Sequence, residues 1–413
     1  MFSSMKRLSR RSAVPVRRAL RPQLESLEDR NLMSVGLEFH VNTKTLLDQS
    51  HPDVASQQAL SGRSVVVWQD QFDASNTDSD IKAQIFDGAG HKIGGEITVA
   101  ATSSRETEPA VAMDARGNFV VVWTQAISDG NTDIRGQRFD ANGTPIGGVL
   151  NLTTDTRPES DPDVAMDRAG NFVVSYTLDF TSTDQDVRAR RFASDGTLLG
   201  TDIVIGGSGA NEHSSSVARS PDGHFNVVWQ LDVPVTGGGI NSDIRLKHYN
   251  AAGTQLGTHT IANSRRSEID PEVAMDRHGH AVVVYELVSS TLNDDIMARK
   301  FFANGVLGPT IRVDVSRDYE FNPTVTMDHN DGDFVVAYQR LHNNGTSLVP
   351  PNNLIVREMN ADGSIKNTFN LGDVGFTPQL SINDSDVYFL AYASFARTDD
   401  PGVGIFGRRG HLV

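Results

Sequence analysis

The segment PAVAMDARGNFVVVW, residues 109–123, contains two short apolar runs joined by a polar turn, and this pattern decides the fold. Val, Phe and Trp in runs of this length predict buried strands, and Asp, Gly and Asn between them predict a tight turn. Related segments recur along the chain about 54 residues apart. They are anchored at Pro52, Pro109, Pro162, Pro271, Pro323 and Pro378, and the fourth repeat has no proline at its anchor.

Each repeat has the composition of a four-stranded antiparallel sheet. The first two strands come from the paired runs, a third alternates apolar with basic or amide residues, and a fourth, weaker strand follows a Gly turn. A repeat of this length is typical of one propeller blade. The second strand always ends in an aromatic residue, which predicts packing between blades. These residues are Trp68, Trp123, Tyr176, Trp229, Tyr285, Tyr338 and Tyr392.

The two ends of the repeat array complement each other. The seventh repeat stops after its third strand, IFGRRGHLV, whereas the run GLEFHVNT from Gly36 precedes the first repeat and resembles a fourth strand. Pairing these two segments leaves no open edge between the first and last blades. The sequence therefore predicts an all-β fold, a seven-bladed β-propeller of four-stranded blades over residues 36–413, with the ring closed by the N-terminal strand.

Charge and composition exclude several classes of protein. The net charge is −15, but residues 1–34 carry about +5, so the remaining chain carries about −20. An acidic body disfavours nucleic acid as a partner. The chain contains no Cys, which excludes disulfides, thiol catalysis and thiolate metal sites. No apolar run is long enough to predict a transmembrane segment. The sequence leaves the oligomeric state open.

Two segments carry a family resemblance. Residues 24–34, LESLEDRNLMS, resemble the leader that planctomycete bacteria place before large exported or surface proteins, with Met33 where Leu is usual. Residues 109–148 resemble a propeller-type repeat of large secreted or surface bacterial proteins. The resemblance implies that residues 1–35 are an export leader and that the protein is extracellular or at the cell surface. The alternatives for the leader are a disordered basic tail and adhesion to nucleic acid or membrane.

Connections of very different length predict two unlike faces. The first and second strands are joined by tight turns, whereas the long polar loops follow the second strand or precede the first. Because strand direction alternates, all the long loops lie on one rim. Loops on a rigid scaffold are where binding residues concentrate, so this rim is the candidate working face.

Acidic residues recur where the chain approaches each innermost strand. They stand three residues and one residue before the anchor proline, and positions two apart in a strand face the same side. The sequence thus predicts a ring of oxygen ligands around the channel mouth, for Ca²⁺ or a cationic group. The alternative is that the carboxylates pair with Arg105, Arg157, Arg266 and Arg317 or accept backbone N–H bonds from the next blade. The candidate ligands are Glu106, Glu108, Glu159, Asp161, Glu268, Asp270 and Glu320.

Three functions remain open from the sequence. The first is a non-enzymatic propeller that binds a protein or polysaccharide on the long-loop rim, with Ca²⁺ as a possible aid and no cofactor required. The second is a carbohydrate-active hydrolase or lyase that uses channel-mouth carboxylates. The third is an architectural module of the cell envelope. Similar channel approaches in four blades favour binding, because an enzyme should break the repeat symmetry with unlike residues that converge.

Overall fold

The computed structural model describes residues 35–43, 48–59, 62–71, 78–290, 293–373, 375–395 and 402–412. The resemblance to an exported leader falls on residues 24–34, which lie outside the described residues. The described residues include no helix with the length and hydropathy needed to span a membrane.

Seven four-stranded antiparallel sheets make up the described chain, which confirms the predicted seven-bladed β-propeller. Blades 1 to 6 each use four consecutive strands, with the first strand innermost and the fourth outermost. Blade 1 contains β2 (Gln49–Ser56), β3 (Ser64–Gln71), β4 (Ser79–Phe86) and β5 (Lys92–Ala100); blade 2 contains β6 (Glu106–Met113), β7 (Phe119–Ser128), β8 (Asn131–Phe139) and β9 (Pro145–Asn151). Blade 3 contains β10 (Glu159–Met166), β11 (Phe172–Thr181), β12 (Asp184–Phe192) and β13 (Ile203–Gly206); blade 4 contains β14 (Glu212–Arg219), β15 (Phe225–Pro234), β16 (Ile240–Tyr249) and β17 (Gln255–Ala262). Blade 5 contains β18 (Glu268–Met275), β19 (Ala281–Ser290), β20 (Asn293–Phe301) and β21 (Leu307–Asp314); blade 6 contains β22 (Tyr319–Met327), β23 (Phe334–Asn343), β24 (Leu348–Met359) and β25 (Ile365–Asp373).

The seventh blade joins the two ends of the chain as predicted. It contains β26 (Phe376–Ile382), β27 (Val387–Ser394), β28 (Gly404–His411) and, as its outermost strand, β1 (Phe39–His40). Phe39 lies opposite Gly407 and His40 opposite Phe406. The backbone N–H of Val41 also donates to the carbonyl of Ile405 at 2.9 Å. The backbone groups of β28 are therefore paired on both sides, and the ring has no open edge at this seam.

Hydrophobic contacts between neighbouring blades form the core. The second strands are the most buried, and the aromatic residues that end them lie between sheets, as predicted. Trp123, for example, is 1% exposed and packs with Val65 and Ile85 of the preceding blade. Burial of one large apolar side chain contributes about 1.5–3 kcal/mol, so each blade is stabilised mainly by its neighbours.

Candidate functional site

Every innermost strand contains one residue in the left-handed backbone conformation, with φ between 49° and 54°. This residue stands directly before the anchor position and lies at a break in the pairing register, so the strand bulges there. A positive φ is unusual for residues other than Gly and costs about 1–3 kcal/mol. The seven left-handed residues are His51, Glu108, Asp161, Ser214, Asp270, Asn322 and Thr377. All seven line two adjoining cavities, of about 370 and 260 Å³, at the long-loop end of the central channel.

The bulge separates the two sets of acidic residues that the sequence predicted to face the same way. Glu108, Asp161 and Asp270 line the channel cavities. The residues two positions earlier are instead buried away from these cavities, with exposures of 2% or less, and they bond to the connection from the preceding blade. These residues are Glu106, Glu159, Glu268 and Glu320, together with Glu212, which the sequence analysis did not single out.

The buried glutamates also do not take the partners expected for them. Glu106 accepts a short hydrogen bond from Thr102, and Glu268 accepts the backbone N–H of Ser264 at 3.0 Å, so the partner stands four residues upstream. Arg157, expected to pair with a glutamate of this set, bonds to Asp155 at 2.7 Å instead. Burial raises the pKa of Glu159 to about 7 and that of Glu320 to about 8. These glutamates therefore brace the links between blades.

A second ring of channel residues lies one position after the anchors, and here the blades differ. Two of its acidic residues join adjacent blades. The Asp53 carboxylate accepts the backbone N–H of Val111, and the Asp163 carboxylate accepts the backbone N–H of Val217, each at 2.7 Å. The ring consists of Asp53, Ala110, Asp163, Ser216, Glu272, Thr324 and Gln379. The repeat symmetry is thus broken inside the channel, a feature that the sequence analysis missed.

Glu272 and Asp161 are the two carboxyl groups that border both cavities. Burial, with Asp163 nearby, raises the pKa of Glu272 to about 8. Burial, with Glu108 nearby, raises the pKa of Asp161 to about 6. One oxygen of Glu272 accepts the Ser216 hydroxyl at 3.0 Å. Burial thus raises the pKa of both carboxyl groups, that of Glu272 on blade 5 more than that of Asp161 on blade 3.

An ion-pair network crosses the opposite, tight-turn end of the channel. Arg168 of blade 3 donates to Asp384 of blade 7 and to the carbonyl of Gln58 of blade 1, both at 3.0 Å. His329 of blade 6 contacts the same Asp384 at 3.3 Å, and Arg277 of blade 5 donates to the carbonyl of His329. These side chains connect blades 1, 3, 5, 6 and 7 where the tight turns meet.

Blade 5 holds a buried carboxyl pair next to the mouth. Glu286 and Asp294 are each 2% exposed. Burial, together with the hydrogen bond to Asp294, raises the pKa of Glu286 to about 9, and Glu286 accepts the backbone N–H of Asn322. The equivalent residue in blade 6 is Gln339, whose oxygen accepts the N–H of Thr377 at 3.1 Å. An amide can therefore occupy this position.

Glu286→Gln is expected to stabilise the protein in alkaline solution. Because the pKa of Glu286 is about 9 in the folded state, the protein holds this proton up to about pH 9, whereas the unfolded chain releases it near the ordinary glutamate pKa of 4.5. Wild-type stability therefore falls as the pH rises between these values, and the amide removes that loss. We expect a gain of about 1–3 kcal/mol at pH 9 and little change at pH 4. Thermal unfolding followed by circular dichroism across this range measures it. Glu96→Gln on the outer strand of blade 1 is the control, and an equal gain there would contradict the assignment.

Among the residues that the structure describes, no group of three or more His, Asp or Glu side chains is arranged to hold a metal ion. The candidate calcium ligands are divided between the channel mouth and the links between blades. The calcium site stays a prediction from the sequence.

The fold and the site together define a seven-bladed β-propeller with an asymmetric acidic channel mouth. No family model and no curated protein matches the chain. Among solved structures, the chain is similar to an ulvan lyase, a polysaccharide lyase, with a TM-score of 0.54 and 10% identity over 89% of this chain and 95% of that one. It is also similar to the α-L-arabinofuranosidase Arb93A from Fusarium graminearum, with a TM-score of 0.52 and 11% identity over 92% and 98% of the two chains. A protein of unknown function from Dyadobacter fermentans gives a TM-score of 0.51 and 11% identity over 75% and 95%.

These similarities correct the prediction of a non-enzymatic binding protein. The named propellers among them are carbohydrate-active enzymes, which contradicts that prediction and favours the hydrolase or lyase alternative. The argument from similar blades fails for a physical reason, because the symmetric glutamates are braces and the channel residues differ from blade to blade. At 10–11% identity the likeness establishes the fold alone. The activity has to be argued from the site.

Proposed function

We propose that this protein is a glycoside hydrolase that cleaves a neutral polysaccharide at the long-loop mouth of its channel. The observation that carries the proposal is the pair Glu272 and Asp161, which border both channel cavities with pKa values of about 8 and about 6. Two carboxyl groups whose surroundings push their pKa values apart are the usual apparatus of glycosidic cleavage.

The two residues take complementary roles in this proposal. Glu272 is protonated at neutral pH and donates its proton to the glycosidic oxygen as the bond to the sugar breaks. Asp161 is ionised and serves either as the base that takes a proton from the attacking water or as the nucleophile. The hydrogen bond from Ser216 holds the Glu272 carboxyl group, and the N–H of Asp161 donates to Glu108 at 3.1 Å. The Glu272 carboxyl group and the Asp161 backbone are thus each held by the neighbouring blade.

The charge of the channel selects the substrate class. The described residues that line the two cavities include six carboxyl groups and no Lys or Arg. A uronate polymer would bring further negative charge to this surface, with no side-chain cation in the lining to offset it. The site therefore favours neutral sugars over uronates, and a hydrolase over a lyase that needs a uronate.

Aromatic side chains beside the mouth fit a carbohydrate ligand. Phe376, adjacent to the channel residue Thr377, packs against Phe395 with ring centroids 5.0 Å apart. Phe395 is 74% exposed, an unusual state for a large apolar side chain. Tyr319 and Phe321 form a second pair, at 5.3 Å, on blade 6. The exposed Phe395 ring offers a flat apolar face to the C–H face of a sugar ring, and the other three rings are partly buried.

The test is to incubate the full chain with a panel of neutral and uronate-containing polysaccharides and to measure two products. We expect new reducing ends from at least one neutral polymer, without the ultraviolet absorbance of an unsaturated uronate. Unsaturated products from a uronate polymer would replace the hydrolase by a lyase. No release from any polymer, with the protein folded, would overturn glycosidic cleavage.

A further inference from the structure

Two histidines face each other on the outer half of blade 4, away from the channel. His248 lies on β16 and His259 on the neighbouring β17, where the residue opposite His248 is Gly257. The ring centroids of the two histidines are 5.4 Å apart. Phe301 of blade 5 packs against both rings, at 5.1 and 4.8 Å. The two imidazoles are therefore held at the interface between two blades.

One nitrogen of each ring is buried and has no hydrogen-bond partner within the described part of the chain. These atoms are Nδ1 of His248 and Nε2 of His259. A β-carbon built on Gly257 would lie 3.3 Å from the first nitrogen and 2.8 Å from the second. Both nitrogens thus border one small space, which is open because residue 257 has no side chain. A buried polar nitrogen without a partner is costly in free energy. Both nitrogens would gain a partner if the space held an ion that accepts one lone pair from each.

We propose that His248 and His259 bind one divalent transition-metal ion in the space beside Gly257. Neutral imidazole is a preferred ligand of Cu²⁺, Ni²⁺ and Zn²⁺, whereas Ca²⁺ requires oxygen. Water completes the coordination, since an adjoining cavity of about 140 Å³, lined by His248 with Asp222, His224 and His278, leaves room for it. The ion would cross-link β16 to β17. This inference is independent of the proposed hydrolase activity.

Burial makes both imidazoles suitable as ligands. It lowers the pKa of His248, with a further contribution from the nearby His259, and it lowers the pKa of His259.

The test is calorimetric titration of the full-length, tag-free protein with NiCl₂ after treatment with a chelator. We expect one saturable site in the wild type, and a rise in the thermal midpoint when the ion is in excess. His259→Ala removes a ligand and should weaken binding about 100-fold. Gly257→Ala is the sharper variant, because it keeps both imidazoles and fills the space between their nitrogens. Gly257 is not in the left-handed region, so Ala suits its backbone. We expect it to fold and to lose the site.

His91→Ala is the matched control, since His91 lies on a turn of blade 1 with its side chain 80% exposed. Binding in that variant should equal binding in the wild type. Unchanged affinity in both Gly257→Ala and His259→Ala, or no saturable heat in the wild type, would overturn the proposal. Thermal midpoints of the metal-free variants distinguish loss of the site from loss of the fold.

Discussion

Glu272→Gln is expected to slow glycosidic cleavage by about 10²–10⁴-fold, with little change in KM. The amide has the shape of the protonated carboxyl group and can keep the hydrogen bond from Ser216, but it cannot donate a proton to the leaving oxygen. The loss should therefore appear in kcat. The measurement is the initial rate of reducing-end release on the substrate that the polysaccharide panel identifies.

The pH profile separates a catalytic role from a structural one. Wild-type activity should rise as Asp161 ionises near pH 6 and fall as Glu272 loses its proton near pH 8. The residual activity of Glu272→Gln should lack the alkaline limb. Glu320→Gln is the matched control, because burial raises the pKa of Glu320 to about 8 as well, yet Glu320 lies off the channel. A similar loss of kcat in both variants, or an unchanged alkaline limb, would assign Glu272 a structural role.

The blades could be predicted from sequence because their signals are local and repeated. Strand composition, tight turns and the aromatic end of each second strand recur at a fixed period. The closing strand could be predicted because the last repeat lacks a fourth strand and a spare strand precedes the first repeat. The pairing of Phe39 with Gly407 confirms that argument.

The channel mouth could be predicted only in part, because one backbone conformation changes which side chains face it. Strand geometry places residues two apart on the same side, but a left-handed residue before the anchor breaks that rule. The result is a buried Glu159 and a channel-lining Asp161. The sequence did contain a signal for the left-handed position, because Asp and Asn tolerate a positive φ better than most residues. Three of the seven blades have such a residue directly before the anchor, namely Asp161, Asp270 and Asn322. Glu272 carried no such signal, because one acidic residue in a strand also fits an exposed position.

Asp314→Ala is expected to cost about 3–5 kcal/mol of unfolding free energy. Asp314 is 5% exposed and ends the outer strand of blade 5, where its carboxylate meets side chains of blade 6. Its carboxylate accepts a hydrogen bond from the hydroxyl of Tyr338 at 2.5 Å and a short hydrogen bond from Arg340. It also forms an ion pair with Arg357 at 3.1 Å. Removal of this carboxylate leaves two mostly buried guanidinium groups and a buried hydroxyl with their shared acceptor gone. The cost in unfolding free energy is larger than the net contribution of the ion pairs, because the buried charges that remain are left uncompensated.

Blade 3 supplies the matched control because it has a similar Asp–Tyr–Arg trio, with one arginine in place of two, in a wetter setting. Asp202 accepts Tyr176 at 2.8 Å and Arg190 at 2.7 Å, but its side chain is 32% exposed. Water can replace the lost carboxylate there, so Asp202→Ala should cost about 1 kcal/mol or less. Urea unfolding followed by tryptophan fluorescence measures both variants. Equal losses would show that the trio acts through its hydrogen bonds alone, whereas the expected difference would show that burial of the two arginines sets the cost.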